Sequence, residues 1–328
     1  MKSVRMSEFG EPAAVCDIEE IEMPEPGPGE MRVKVTHRPI NPSDTATIRG
    51  VYGRLPTLPA TPGMEGFGVV DALGEGVKGF AVGQRVVPMG MSGTWQEYGI
   101  TSAMQALPVP DAVSDQSAAQ FIVNPVTSWV MLTEGLGLKE GDWVLQTAAG
   151  STLGRIVLQI AKLKGYKTVN LVRRREQVDE LLALGADAVF CTADGHDAVI
   201  KQVMAATGKG VHGAIESVGD ETGTLAHSCL RAGGTMLVYG LLSGMPSTIN
   251  WGEMLFKGTT IQGFWLTHWF RVADQGKVKA SLVELMQLMS KGDLTPPVEK
   301  EYPLSEIKAA LEHSERPGRS GKILLVND

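Results

Sequence analysis

The chain has 328 residues, 43% of them hydrophobic and 20% charged, and 30 Lys and Arg against 37 Asp and Glu leave a net charge of −7. That length suits two domains with real cores, and the acidic balance excludes a general nucleic-acid binder while still allowing a local basic pocket. No apolar run reaches the roughly 18 to 20 residues of a membrane span, residues 1–10 hold no apolar signal core, and Cys16, Cys191 and Cys229 are too few and too scattered for a disulfide framework, so a cytoplasmic protein without membrane or nucleic-acid partners is expected.

From Met1 to about Gln120 the pattern is one of short strands broken by turns: 32–36, 68–73, 85–88 and an aromatic stretch around Trp95 and Tyr98. Pro24-Glu25-Pro26-Gly27-Pro28-Gly29 and Gly74-Glu75-Gly76 are turn chemistry, which makes this part mostly β, barrel-like or a sandwich. Strands then alternate with room for helices: 143–146, 168–172, 187–191, 213–217, 235–239 and 259–263. After the first of them, Leu153, Ile156, Val157, Ile160 and Ala161 recur at helical spacing and form one apolar face. Such alternation predicts an α/β domain with a doubly wound parallel sheet over residues 121–269, beside a mostly β domain of residues 1–120 and 270–328. An amphipathic helix is expected over 281–289, and a final strand over 322–326 is expected to return to the first domain.

The loop after the first parallel strand, Thr147-Ala148-Ala149-Gly150-Ser151-Thr152-Leu153-Gly154, puts small residues where a G-x-G-x-x-G turn has glycines: Ala149, Ser151 and Gly154. Small side chains admit a pyrophosphate, and the helix N-terminus supplies N–H donors. NAD enzymes carry an acid about 20 residues beyond such a loop to hold the ribose 2′-hydroxyl. Here that stretch reads Val172-Arg173-Arg174-Arg175. Arginine forks suit a 2′-phosphate, so NADPH is the expected cofactor; the alternative is a solvated charge run before the next helix. The six histidines are dispersed and there is no cysteine cluster, so no metal site is expected.

Several further segments carry a resemblance: Asn41-Pro-Ser-Asp44, Ile48 to Pro56, Pro62-Gly-Met-Glu-Gly66, Gly93-Thr-Trp95, Asn124-Pro-Val-Thr127, Val172-Arg173, Gly233-Gly-Thr, Tyr239-Gly240, Gly263-Phe-Trp-Leu266 and Gly321-Lys322. In this order they resemble the medium-chain dehydrogenase/reductase superfamily, and most closely its zinc-free, mitochondrial-type 2-enoyl thioester reductases. The resemblance spans nearly the whole chain. It implies a Rossmann cofactor domain beside a GroES-like catalytic domain, a homodimer paired through the edge strand 259–263, and NADPH-dependent reduction of the 2,3 double bond of a trans-2-enoyl thioester carried on coenzyme A or an acyl carrier. Tyr52, in the Tyr-Gly-x-Leu-Pro loop, would give the proton to Cα. The implied NADPH contacts are Asn124, Ser151, Thr152, Leu153, Gly154, Arg173, Arg174, Arg175, Tyr239, Gly240, Leu241, Leu242, Phe264, Trp265, Leu266 and Lys322. Trp265 would also wall the nicotinamide and the acyl chain, with core or dimer packing the alternative for it and for Trp269. Arg49 and Arg54 flank Tyr52 and are either phosphate contacts or solvated loop charges. Met64 stands before Glu65 where zinc enzymes have His-Glu, which leaves Glu65 a structural residue. Two other functions remain open on this scaffold: a zinc-free NADPH:quinone or enone reductase, and an NADPH-binding sensor without turnover.

Overall fold

A computed structural model describes residues 1–91 and 93–328. Contacts divide the chain into two units, Met1–Val123 with Met286–Asp328, and Asn124–Leu285. Residues 270–285, assigned to the first unit from sequence, therefore lie with the second. Their neighbourhood gives the reason: the buried Trp269 donates its indole N–H to Glu134 at 3.2 Å, and Glu284 pairs with Lys164 at 3.0 Å.

The strands in chain order are β1 (Lys2–Met6), β2 (Cys16–Glu20), β3 (Glu30–Pro39), β4 (Phe67–Leu73), β5 (Arg85–Pro88), β6 (Tyr98–Ser102) and β7 (Ala106–Pro108), followed by β8 (Trp143–Gln146), β9 (Lys167–Val172), β10 (Ala188–Cys191), β11 (Val211–Glu216), β12 (Leu230–Val238) and β13 (Thr260–Gly263), and finally β14 (Val298–Pro303) and β15 (Lys322–Val326).

In the first unit β1 and β2 form a hairpin-like pair, and a seven-stranded sheet runs β14-β15-β3-β4-β5-β7 with β6 also on β3. Strand β15 returns to this sheet as expected, Leu324 opposite Pro39 and Val326 opposite His37. Alternation along β3 buries Met31, Val33 and Val35 against Val70 and Val86. Trp95 falls just outside β6, fully buried, and donates its indole N–H to the Pro39 carbonyl at 3.3 Å.

The second unit carries a six-stranded parallel sheet in the order β10-β9-β8-β11-β12-β13. This is the doubly wound arrangement, with the order of the strands reversing between β8 and β11. Helix Thr152–Lys164 follows β8 and buries Leu153, Ile156, Val157, Ile160 and Ala161, the apolar face read from sequence. It ends on Gly165, whose φ of +69° is the left-handed stop that glycine adopts freely. No helix among the described residues is long and apolar enough to cross a membrane.

Candidate cofactor and active site

Parallel pairing brings the C-terminal ends of the six strands of the second unit to one edge of the sheet, where open α/β sheets bind ligands. The loop after β8 is fitted tightly there. A Cβ at Gly154 would lie 2.3 Å from the Ala149 carbonyl oxygen, so only glycine lets the helix start this close to the loop. Ala148 takes a left-handed φ of +48°, the bend that turns the loop. Ser151 caps the helix, its hydroxyl accepting the Gly154 N–H at 3.1 Å.

Buried polar side chains brace this loop from beneath. Thr147 donates its hydroxyl to Glu216 at 3.3 Å and accepts the Ser217 N–H at 3.1 Å, while Glu216 also accepts the N–H groups of Val218 and Gly219 at 2.6 and 2.9 Å. Gln146 donates to the Gly154 carbonyl at 3.0 Å and to Asn170 at 2.7 Å. Arg155 reaches back to the Gly150 carbonyl at 3.2 Å and pairs with Glu180 at 2.5 Å. Sequence reading missed these braces, because a polar residue inside a strand or an arginine on a helix shows no partner in one dimension.

At the end of β9, Arg173 is exposed, Arg174 pairs with Glu176 at 3.6 Å, and Arg175 pairs with Asp194. Glu176 and Asp179 supply the acid that the first turn of the following helix, Glu176–Ala183, needs, so the arginines stand ahead of it. Past β12, Tyr239 donates its N–H to the Glu216 carbonyl at 2.9 Å and Leu242 donates its own to the Ser217 carbonyl at 2.8 Å. Gly240 passes close to Ser217, with a Cβ there 3.0 Å from the serine side chain, and Leu241 and Leu242 stay exposed. Burial pushes the Tyr239 phenol up to about 12. Past β13, Phe264 donates its N–H to the Val238 carbonyl at 2.8 Å, and Trp265, half-buried, caps the helix Leu266–Val272. Thus 151–154, 173–175, 239–242 and 264–266 follow strands of one sheet at one edge. Asn124 lies buried in a π-helical turn, Ile122–Val126, that contains Pro125.

Two implied site residues belong to the first unit. Tyr52 is half-buried in the segment after helix Pro42–Ile48, beside the exposed Val51. Lys322 opens β15 and is buried, its ammonium donating to the Asn41 side-chain carbonyl at 2.7 Å. Asn41 in turn donates its amide to Glu65 at 2.9 Å and its backbone N–H to Asp44 at 2.8 Å. The other Glu65 oxygen accepts the N–H groups of Ile122 and Val123 at 3.0 and 2.7 Å. Burial pushes Asp44 up to about 7, raises Glu65 and lowers Lys322 to about 8. Arg49 is engaged by Glu11 at 2.9 Å and Glu315 at 2.7 Å, which spends its charge on carboxylates of its own unit; Arg54 is exposed.

Two sequence families match: "Alcohol dehydrogenase GroES-like domain" over residues 27–111 and "Zinc-binding dehydrogenase" over residues 152–287. The human mitochondrial enoyl-[acyl-carrier-protein] reductase is 35% identical over 322 residues, 97% of this chain and 86% of that protein. The chain belongs to the medium-chain dehydrogenase/reductase superfamily, in its 2-enoyl thioester reductase branch. Solved structures of this superfamily superpose over nearly the whole length. One described as an NADPH:quinone reductase of Bacillus thuringiensis has a TM-score of 0.92 at 34% identity, covering 100% of this chain and 99% of its own. The Etr1p complex with NADP and crotonyl-CoA scores 0.88 at 26% identity, with 99% of both chains covered. The Candida tropicalis Etr1p/Etr2p heterodimer, a mitochondrial 2-enoyl thioester reductase, scores 0.87 at 27% identity over 99% of both chains. Among the described residues of this family member, no group of three or more His, Cys, Asp or Glu side chains is arranged to hold a metal ion.

Proposed function

We propose that the protein is an NADPH-dependent reductase of the 2,3 double bond of trans-2-enoyl thioesters. The observation that carries this reading is the 35% identity to an enoyl-[acyl-carrier-protein] reductase across 97% of the chain. Oxidoreduction of a C=C bond with NADPH follows from membership of the branch. The residues present fit that cofactor: Gly154 admits the loop and helix to close contact where a Cβ would collide, and the strand end that carries an acid in NAD enzymes carries Arg173, Arg174 and Arg175.

When bound, NADPH supplies the hydride delivered to Cβ of the acyl chain. In this reading the backbone around Ser151 to Gly154 receives the pyrophosphate, the arginines receive the 2′-phosphate, and Asn124, Tyr239 to Leu242, Phe264 to Leu266 and Lys322 line the rest of the cofactor. Tyr52 holds the proton destined for Cα. A phenol hydroxyl placed beside the reacting carbon can act as a general acid toward an enolate. Trp265 walls the acyl chain.

A second reading, quinone reduction on the same scaffold, is favoured by the likeness to the Bacillus thuringiensis structure. NADPH oxidation assayed with crotonyl-, hexenoyl- and decenoyl-thioesters beside simple quinones separates the two. Turnover of enoyl thioesters well above that of quinones is expected; the reverse order would replace the first reading by the second.

A homodimer is part of the proposal. Strand β13 is an edge strand, and the helix before it, Trp251–Lys257, leaves Trp251 75%, Leu255 73% and Phe256 87% exposed, which is apolar surface suited to a second copy. We also propose a cytoplasmic location, which the three free, buried thiols suit, although the curated relatives carry "mitochondrial" in their names.

A further inference from the structure

Glu65 occupies the place of the glutamate in the His-Glu pair of zinc dehydrogenases, and with Met64 before it that pair is broken. Its carboxylate is nonetheless fully engaged in a buried site, 3% exposed. Every contact it makes requires it to accept. Oε1 takes the Asn41 amide N–H at 2.9 Å, and Oε2 takes the N–H groups of Ile122 and Val123 at 3.0 and 2.7 Å. Because Asn41 gives its NH2 to Glu65, its carbonyl oxygen must face the other way, and there it accepts from the Lys322 ammonium at 2.7 Å. Donation therefore runs in one direction from Lys322 through Asn41 to Glu65, and the two backbone donors close the far side. A proton on Oε2, which already receives two N–H groups, would set a donor against a donor.

We propose that Glu65 is a positioning residue for the cofactor: as an acceptor at both oxygens it sets the Asn41 amide, and through it the Lys322 ammonium, and it pins the two residues ahead of Asn124. The inference rests on the reading of Lys322 and Asn124 as NADPH contacts. Its physical content is specific. In Glu65→Gln the side-chain oxygen can still receive the Ile122 and Val123 N–H groups, but the new NH2 then meets the Asn41 NH2. Relief requires the Asn41 amide to turn over, which aims an NH2 at the ammonium of Lys322 and drives that side chain from its place. A charge-assisted hydrogen bond is lost in the process, so cofactor affinity falls roughly tenfold or more.

The experiment is a double-mutant cycle on the full chain, with NADPH dissociation constants read by fluorescence titration and folding checked by circular dichroism. Glu65→Gln is expected to weaken NADPH roughly tenfold, Lys322→Met by a comparable factor, and the double variant no further than Lys322→Met alone. Independent, multiplying losses would show that Glu65 acts only on general stability and would overturn the proposal, as would unchanged affinity in Glu65→Gln when Lys322→Met binds weakly. Unchanged affinity in Lys322→Met would instead overturn the reading of Lys322 as a cofactor contact, and the proposal with it. If Glu65→Gln does not fold, Asn41→Ala, which cuts the chain between ammonium and carboxylate and leaves both in place, takes its position in the cycle with the same expected results.

Discussion

At the scale of single residues, Tyr52, the proton donor proposed above, and a buried acid give the sharpest tests. In the proposed function Tyr52 serves proton transfer and takes no part in holding the adenosine end of the cofactor, which falls to residues 151–154 and 173–175. Tyr52→Phe is expected to keep its NADPH dissociation constant and to lose roughly 10²- to 10⁴-fold in kcat on an enoyl thioester, the range for removal of a positioned general acid. Retention of more than about a third of wild-type turnover, with a deuteride isotope effect showing that hydride transfer limits the rate, would transfer the proton to another group. Asp44 makes a pH-dependent contribution. Burial raises it to about 7, with Glu65 adding to the rise, and the Asn41 N–H and Lys322 opposing it. Since the folded-state value lies above the unfolded one, the native state holds the proton longer, and stability present below about pH 4 is lost as the pH rises toward 7. Asp44→Asn, which keeps an acceptor for Asn41, should match the wild type in thermal midpoint at pH 4 and exceed it at pH 8. A variant less stable than the wild type at pH 8 would contradict this sign.

At the scale of elements, the proposed role of residues 173–175 in holding the 2′-phosphate can be tested. Three arginines follow β9 at the end of the sheet, and the helix after them takes its first-turn acids from Glu176 and Asp179. One charge-assisted hydrogen bond to a 2′-phosphate contributes about 1.5 to 3 kcal/mol, so NADPH should bind at least tenfold tighter than NADH even though Arg174 and Arg175 already have carboxylates beside them. Equal dissociation constants for the two cofactors would refute the assignment of residues 173–175. The apolar face of the helix Thr152–Lys164 and the need for glycine at 154 were legible in one dimension, because both depend on neighbours within a few positions. Arg49 was not: its partners Glu11 and Glu315 stand 38 and 266 positions away, so a charge that looked available for substrate phosphate is committed elsewhere.

At the scale of the whole molecule, self-association and metal independence are the testable properties. Light scattering at micromolar concentration should give twice the chain mass, and Phe256→Glu on the exposed helix beside β13 should shift it toward the monomer. A monomeric wild type would end the edge-strand reading. Activity should survive prolonged dialysis against a chelator, with well under one zinc per chain; stoichiometric zinc and chelator-sensitive turnover would contradict it.

The sequence alone determined the alternation of strands and helices, the small-residue loop before the helix Thr152–Lys164, the arginine run and the family, because hydrophobic period, turn chemistry and motif order are local properties of the chain. It also carried the strand 322–326 and its return to the first unit. Tertiary structure alone decided that residues 270–285 join the second unit, through the contacts of Trp269 and Glu284. Only folding, likewise, brings Lys322 within 2.7 Å of Asn41 across 281 positions, and Glu65 onto the amides of Ile122 and Val123 57 and 58 positions away. Hydrogen bonds of this kind leave no periodic trace, since each requires only one suitable atom at each end and a backbone that makes them meet.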